Sequence, residues 1–148
     1  MNIERDTGAE GSGDPLERMA VHRYARKLRK DSWADVNVLL ANALTQKVAG
    51  QLYESIGSIA ANLAEGYSKS SGPDRARSFE YALGSARESR EWYESAIPVI
   101  GAETVAERHE ILGHIQRLLV AIIPIERKRK IQPRKKKRPK RRTTKPKD

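Results

Sequence analysis

Residues 21–43 read VHRYARKLRKDSWADVNVLLANA, and this stretch decides the fold class. Its apolar and small residues recur at steps of three or four, which is the spacing of one face of an α-helix. The positions on that face are Val21, Ala25, Leu28, Ser32, Val36, Leu39 and Ala43. Most basic residues of the stretch fall on other faces. The pattern therefore predicts a long amphipathic helix whose apolar stripe must be covered by other helices.

Three later segments repeat this period. A second helix is predicted to follow Thr45, a good capping residue, and to end at residues 65–68. A third is predicted to open at residues 71–74, where a proline and an acid suit a first turn, and to close at residues 98–101. A fourth is predicted to begin at the capping box of residues 104–107. No segment alternates as a strand does. The sequence thus predicts an all-α, antiparallel up-and-down four-helix bundle.

The net charge of +10 is concentrated at one end of the 148-residue chain. Residues 127–147 contain 14 Lys or Arg and no acid, whereas residues 1–126 hold 15 basic and 18 acidic residues, a net of −3. Prolines and like-charge repulsion oppose a helix in the basic segment. We therefore predict a flexible leader at 1–15, a four-helix bundle at 16–130 and a disordered polybasic tail at 131–148.

Such a tail attracts phosphates and releases their counterions with little selectivity for bases. We favour nucleic acid over the two alternatives, a solubilising tail and a contact with anionic lipid. The predicted phosphate-binding residues are Arg127, Lys128, Arg129, Lys130, Arg134, Lys135, Lys136, Lys137, Arg138, Lys140, Arg141, Arg142, Lys145 and Lys147. The first helix offers a secondary patch in Arg26, Lys27, Arg29 and Lys30, for which a solvated charged face is at least as good an explanation.

The sequence argues against an enzyme and against a membrane protein. It contains no cysteine, no glycine-rich phosphate loop and no Gly-x-Ser-x-Gly motif. His109 and His114 are five residues apart and do not share a helix face, so no metal site is predicted. No apolar run approaches the length of a membrane span, and the N-terminal segment is too polar for a secretory signal. We expect a cytoplasmic protein without cofactors.

Several polar residues on the predicted second and third helices are expected to align these helices. Glu65 lies near the C-terminal end of a helix, where a carboxylate is unfavourable unless a cation compensates it. We expect Arg87 or Arg90 on the next helix to supply that cation, in a network with Asn62 that sets the alignment of the helices.

The same region carries a resemblance to a known family. Residues 58–68 read SIAANLAEGYS, and a Gly-Ser-x-x-Glu motif follows at residues 84–88. These resemble the motifs of the four-helix-bundle family of 23S rRNA intervening-sequence proteins, with Ala60 in place of a frequent proline. The helix pattern matches over residues 18–125, and the specific part lies in 47–93. The motif residues, to which we assign a structural role, are Ser58, Asn62, Glu65, Gly66, Gly84, Ser85 and Glu88.

The resemblance implies a homopentamer with a central channel, and it implies kinship with an accessory protein of the reverse transcriptase of diversity-generating retroelements. From the tail and the resemblance together, we expect a non-enzymatic oligomeric protein that binds nucleic acid, RNA favoured over DNA. The alternative is an accessory scaffold subunit for a reverse transcriptase or another RNA-processing enzyme. In that case the outer face with Trp33, Trp92 and the tyrosines would contact the partner protein.

Overall fold

The computed structural model describes Leu16 and residues 19–129, and the regular structure of this part is helical throughout. Its four helices are α1 (Ala20–Leu40), α2 (Gln46–Tyr67), α3 (Gly72–Ile100) and α4 (Ala102–Lys128). The prediction of an all-α four-helix bundle is confirmed. The predicted leader and the predicted tail lie outside the described residues. None of the described helices combines the length and the apolar character that a bilayer span requires.

Contacts between the helices show the up-and-down arrangement. On α1 and α4, Asp35 bonds to Arg108 whereas Tyr24, further back on α1, stacks on His114, further forward on α4. Residue numbers therefore rise along one helix as they fall along the other. The sequence neighbours also contact one another, and α1 closes the bundle against α4. Paired contacts show that these neighbours are antiparallel too, as where Gly66 meets Phe79 while Ser55, further back on α2, bonds to Ser89, further forward on α3.

The core is formed by the stripes that the sequence predicts. The largest fully buried side chains are Tyr93, Phe79, Leu28, Leu39, Leu52, Ile56, Ile59, Leu63, Ile111, Leu112, Ile115 and Leu119. All predicted stripe positions of α1 are buried except Ala43, which lies beyond the end of the helix. Removal of these side chains from water is the main source of stability for the fold.

α3 begins within the predicted residues 71–74, and at its other end Gly101, rather than Pro98, ends the helix. Ser71 is the N-cap, and its hydroxyl oxygen accepts a hydrogen bond from the backbone N–H of Asp74 at 3.2 Å. At the other end Pro98 lies inside the helix, which continues to Ile100. Gly101 then breaks the helix with a φ of 88°, a conformation that favours glycine.

The predicted start of α2 after Thr45 is confirmed, whereas the predicted start of α4 and the capping role of the Thr45 side chain are not. α4 begins at Ala102 immediately after Gly101, so the start at the capping box of residues 104–107 was wrong, because the glycine alone turns the chain. Thr45 is the N-cap position of α2, but its side chain makes no capping hydrogen bond. The Thr45 hydroxyl instead donates to the backbone oxygen of Leu39 at 2.7 Å, which ties α2 to the end of α1.

Candidate functional site

The end of α4, from which the basic segment departs, is packed against the start of α3. A Cβ atom at Gly72 would overlap the backbone oxygen of Glu126 and lie 2.6 Å from that of Arg129. No side chain fits there without a backbone shift. Gly72 therefore allows the two helix ends to touch, and this packing fixes the place where the basic segment leaves the bundle.

Arg75 holds the same end of the bundle together. Its guanidinium lies 3.8 Å from the carboxylate of Glu126 and donates a 3.0 Å hydrogen bond to the backbone oxygen of Lys69. It also lies over the ring of Tyr67, 5.4 Å from the centroid. One arginine thus links the end of α2, the start of α3 and the end of α4.

Three of the predicted phosphate-binding residues fall within the described part of the chain. Arg127, Lys128 and Arg129 are all exposed at the end of α4. Arg127 forms an ion pair with Glu80, and Arg129 approaches Glu126 at 3.4 Å. The remaining basic residues, from Lys130 onward, lie outside the described residues, and their role stays a prediction.

The family-motif residues of α2 lie beside an open cleft. The Asn62 amide donates to the backbone oxygen of Ser58 at 2.8 Å, and both side chains are half-buried. Asn62 and Glu65 line a cleft of 630 Å³ between α2 and α3. Its other lining residues are Lys69, Asp74, Arg77, Ser78 and Tyr81. Gly66 is buried, and a Cβ there would lie 2.8 Å from the ring of Phe79.

The motif residues of α3 also face outward. Gly84 is exposed, and nothing lies within 4 Å of the position that a Cβ would take. Ser85 is half-buried, and exposed Glu88 accepts a 3.2 Å hydrogen bond from the indole of Trp92. Of the seven motif residues only Gly66 belongs to the interior of the bundle. The rest of the motif is a surface of small and polar residues on α2 and α3.

The predicted partner of Glu65 was wrong. Glu65 lies 3.4 Å from Lys69, one turn further along the same segment, and not beside Arg87 or Arg90. Because α2 and α3 are antiparallel and Gly66 lies against Phe79, Arg87 is about 12 Å further along α3. Arg90 points to α4 instead and donates to the backbone oxygen of His109 at 3.3 Å.

A buried charged cluster joins α1, α3 and α4, and the sequence interpretation missed it. Asp35 accepts hydrogen bonds from the Tyr93 hydroxyl at 2.8 Å and from Nε and Nη2 of Arg108 at 2.8 and 3.3 Å. Burial, and then the charge of Asp35, raise the pKa of Tyr93. The hydrogen bonds that Arg108 donates to Asp35 raise the pKa of Arg108. The available signal was an aspartate beside the apolar stripe of α1, directly before Val36.

This cluster of Asp35, Tyr93 and Arg108 stabilises the packing of α1, α3 and α4 against one another. Its donors and acceptors satisfy one another, and its members are buried or largely buried. Arg108 has one further partner, the exposed Glu107 at 3.6 Å, so the polar groups of the cluster are occupied by contacts within the bundle. Among the described residues no group of His, Asp or Glu has an arrangement that could hold a metal ion.

The basic residues on the outer face of α1 differ from the buried Asp35 cluster, because most of their side chains are exposed. Arg26, Arg29 and Lys30 are exposed and form no ion pair within the described part of the chain. Lys27 is the exception, since it bonds to Asp31 at 2.7 Å. The secondary patch predicted from the sequence therefore contains three cations without a carboxylate partner there.

Comparison with known proteins identifies the family. The model of the 23S rRNA-intervening sequence protein family matches residues 17–121, which is most of the bundle. The chain belongs to this family. The resemblance stated from residues 58–68 and 84–88 is thereby confirmed.

A solved structure supports the fold. A crystal structure from Bacteroides thetaiotaomicron, described as a protein with unknown function from the S23 ribosomal protein family, is similar with a TM-score of 0.65. The two chains are 24% identical, and the match covers 70% of this chain and 97% of the other. A search among curated proteins found no match to this chain. This neighbour shows the four-helix bundle and carries no argument about function.

Proposed function

We propose that this member of the family is a non-enzymatic, oligomeric nucleic-acid-binding protein that acts in the cytoplasm and grips phosphates through its polybasic tail. RNA is favoured over DNA, in keeping with the family's description as 23S rRNA-intervening sequence proteins. The bundle supplies a rigid platform, and the tail supplies the positive charge.

The division of charge along the chain carries this proposal. Residues 1–126 have a net charge of −3, and all the excess positive charge follows. The start of the basic segment is held at a defined place, since Gly72 lets the end of α4 pack on α3. The exposed Lys128 and Arg129 lie at this point, where the chain leaves the bundle. A cationic segment anchored at one end can follow a phosphate chain without any fixed geometry of its own.

Association of several chains would strengthen weak phosphate contacts. We propose the homopentamer that the family resemblance implies, in which the tails of all subunits act on one nucleic acid and gain avidity from linkage. The outward-facing motif on α2 and α3 is the surface that we assign to contacts between subunits. The support is that six of its seven residues are not needed to fill the core of a single chain.

Comparison of the full chain with a truncated chain of residues 1–130 tests the proposal. The probes are an RNA hairpin and a DNA duplex with equal numbers of phosphates. We expect the truncated chain to keep its helical content and melting temperature, because α4 ends at Lys128. Its affinity should fall on the order of 100-fold, as expected when several phosphates are no longer neutralised. Unchanged affinity would refute the role of the tail, and equal binding to both probes would refute the preference for RNA.

A second candidate function rests on a different observation. Leu44 is 91% exposed in the turn between α1 and α2, and Leu40 beside it is also exposed. Exposed leucines at one end of the bundle suit contact with a protein partner. The corresponding proposal is an accessory subunit of a reverse transcriptase or another RNA-processing enzyme. Copurification of such an enzyme with the wild type, lost on Leu44→Lys, would favour it over the first proposal.

A further inference from the structure

The two most exposed aromatic side chains of the α1–α2 surface are in contact with each other. Trp33 on α1 is 60% exposed and Tyr53 on α2 is 55% exposed. Their ring centroids are 5.9 Å apart and their planes meet at 62°, an edge-to-face pair. Tyr53 therefore supports the indole from one side, and most of the indole surface remains open to solvent.

Cations lie one turn away from this pair. Arg29 and Lys30 precede Trp33 by four and three residues, so both are its neighbours on the helix surface. Arg26 lies one further turn back, within about 10 Å of Trp33 along the helix axis. All three cations are exposed and have no carboxylate partner in the described part of the chain. The indole is thus bordered by positive charge on one side.

A glycine leaves open space at the same level of the bundle. Because α1 and α2 are antiparallel and Trp33 lies opposite Tyr53, Arg29 lies level with Gly57. Nothing lies within 4 Å of the position that a Cβ of Gly57 would take. The surface beside the aromatic pair is therefore unobstructed between the two helices.

We infer that Trp33 and Tyr53 form a stacking platform for an unpaired base, and that Arg26, Arg29 and Lys30 hold the adjoining phosphates. Exposed aromatic rings beside cations are the combination with which proteins bind single-stranded nucleic acid without sequence preference. This inference rests on the proposed function and sharpens it. The tail grips phosphates of any strand, whereas the platform selects unpaired nucleotides, whose bases are free to stack.

Tryptophan fluorescence offers a direct test, because the chain has two tryptophans. The full-length variant Trp92→Phe keeps Trp33 as its only tryptophan. The full-length variant Trp33→Phe keeps Trp92, which is half-buried and donates a hydrogen bond to Glu88. Each variant is titrated with oligouridine and with an RNA duplex of equal phosphate number. We expect oligouridine to quench Trp33, the duplex to leave it largely unquenched, and Trp92 to respond to neither.

Affinity measurements on substituted full-length chains separate the aromatic contribution from the cationic one. Val120→Ala is the control for Tyr53→Ala, because Val120 is 54% exposed but lies on α4, away from the aromatic pair and from the motif on α2 and α3. Trp33→Ala should weaken oligouridine binding about tenfold and duplex binding less than about twofold. Tyr53→Ala should act in the same direction, and Val120→Ala should have no effect. The pair Arg29→Gln and Lys30→Gln should reduce the salt slope for oligouridine by about 1.4.

The outcomes distinguish the platform from the proposed function. If the wild type binds neither probe, both proposals fail. If it binds both through the tail while Trp33 stays unquenched and Trp33→Ala binds normally, the platform alone is overturned. If the emission of Trp33 responds to protein concentration and not to oligouridine, the aromatic pair is an interface between copies of this chain, which also overturns the inference.

Discussion

Arg108 and the arginines on the outer face of α1 have opposite surroundings in this bundle. Arg108 has a side chain only 15% exposed, and both of its bonded nitrogens meet the carboxylate of Asp35. Arg26 and Arg29 lie on the outer face of α1 and form no ion pair in the described part of the chain. A cation whose hydrogen bonds are used inside the protein stabilises the alignment of helices. A cation left in solvent stays available for an external anion.

The largest loss of stability is predicted for the buried cluster of Asp35, Tyr93 and Arg108. Asp35→Asn removes the buried carboxylate that compensates Arg108 and leaves the largely buried guanidinium with only the exposed carboxylate of Glu107, 3.6 Å away. We expect the free energy of unfolding to fall by about 3–5 kcal/mol, measured by denaturant unfolding. The affinity for RNA of the chain that remains folded should be unchanged. A stable Asp35→Asn chain with weakened RNA binding would break the distinction between the two groups.

The Tyr93 hydroxyl gives the cluster a dependence on alkaline pH. Burial and Asp35 raise the pKa of Tyr93 in the folded state above the ordinary value of about 10. Its contribution is therefore complete below about pH 10 and is lost as the pH rises further, because the unfolded chain releases the proton first.

The contribution of the Tyr93 hydroxyl to the pH dependence of stability is obtained by comparing the wild type with Tyr93→Phe, which keeps all other titrating residues. The substitution should cost about 2 kcal/mol at neutral pH, since Asp35 loses a donor. Above pH 10 the stability of the wild type should decline more steeply than that of the variant, by up to about 1.4 kcal/mol per pH unit. Parallel pH profiles of the two chains would contradict the assignment.

The same contrast between enclosed and open positions applies to two glycines of α2. A Cβ at Gly66 would meet Phe79 and Ser78 at 2.8 Å, whereas a Cβ at Gly57 would meet nothing within 4 Å. We expect Gly66→Ala to lose about 1.5 kcal/mol of stability through overpacking. Gly57→Ala should gain about 0.5–1 kcal/mol from better helix propensity. Thermal unfolding of both variants measures this, and equal shifts would contradict the packing described at Gly66.

The smallest effect on stability is expected at the open arginines. Arg26→Gln should change the free energy of unfolding by less than about 0.5 kcal/mol, because the side chain is exposed and forms no ion pair in the described part of the chain. Its effect should appear in RNA binding, as a decrease of about 0.7 in the salt slope for a single strand. A clear loss of stability with unchanged binding would place Arg26 in the structural group instead.

Much of the fold could be predicted because local signals and packing agree in it. The stripe from Val21 to Leu39 forms the buried face of α1, and α3 opens within residues 71–74 as predicted, with Ser71 as its N-cap. The start of α4 was misplaced because the residue-level capping signal competed with Gly101, whose backbone conformation ends α3. Local patterns establish that a helix exists more reliably than they establish its first residue.

The tertiary partners of charged residues were harder to predict. The sequence indicates that Glu65 needs a cation near the end of a helix. The i,i+4 spacing to Lys69 was the local signal for it, and the expectation of Arg87 or Arg90 passed over that signal for a contact that depends on the register of α2 against α3. The meeting of Asp35, Tyr93 and Arg108 depends on three helices at once. Charge density, by contrast, is a property of the sequence itself, and it is the basis of the functional proposal.

The salt dependence of RNA binding tests the central claim most directly. The dissociation constant of an RNA hairpin is measured over a range of salt concentrations, for the full chain and for residues 1–130. We predict a steep slope for the full chain and a shallower one for the truncated chain, with a difference of roughly 0.7 to 0.9 for each phosphate that the tail neutralises. The same slope for both chains would contradict the account, because the positive charge that meets the phosphates would then lie on the bundle.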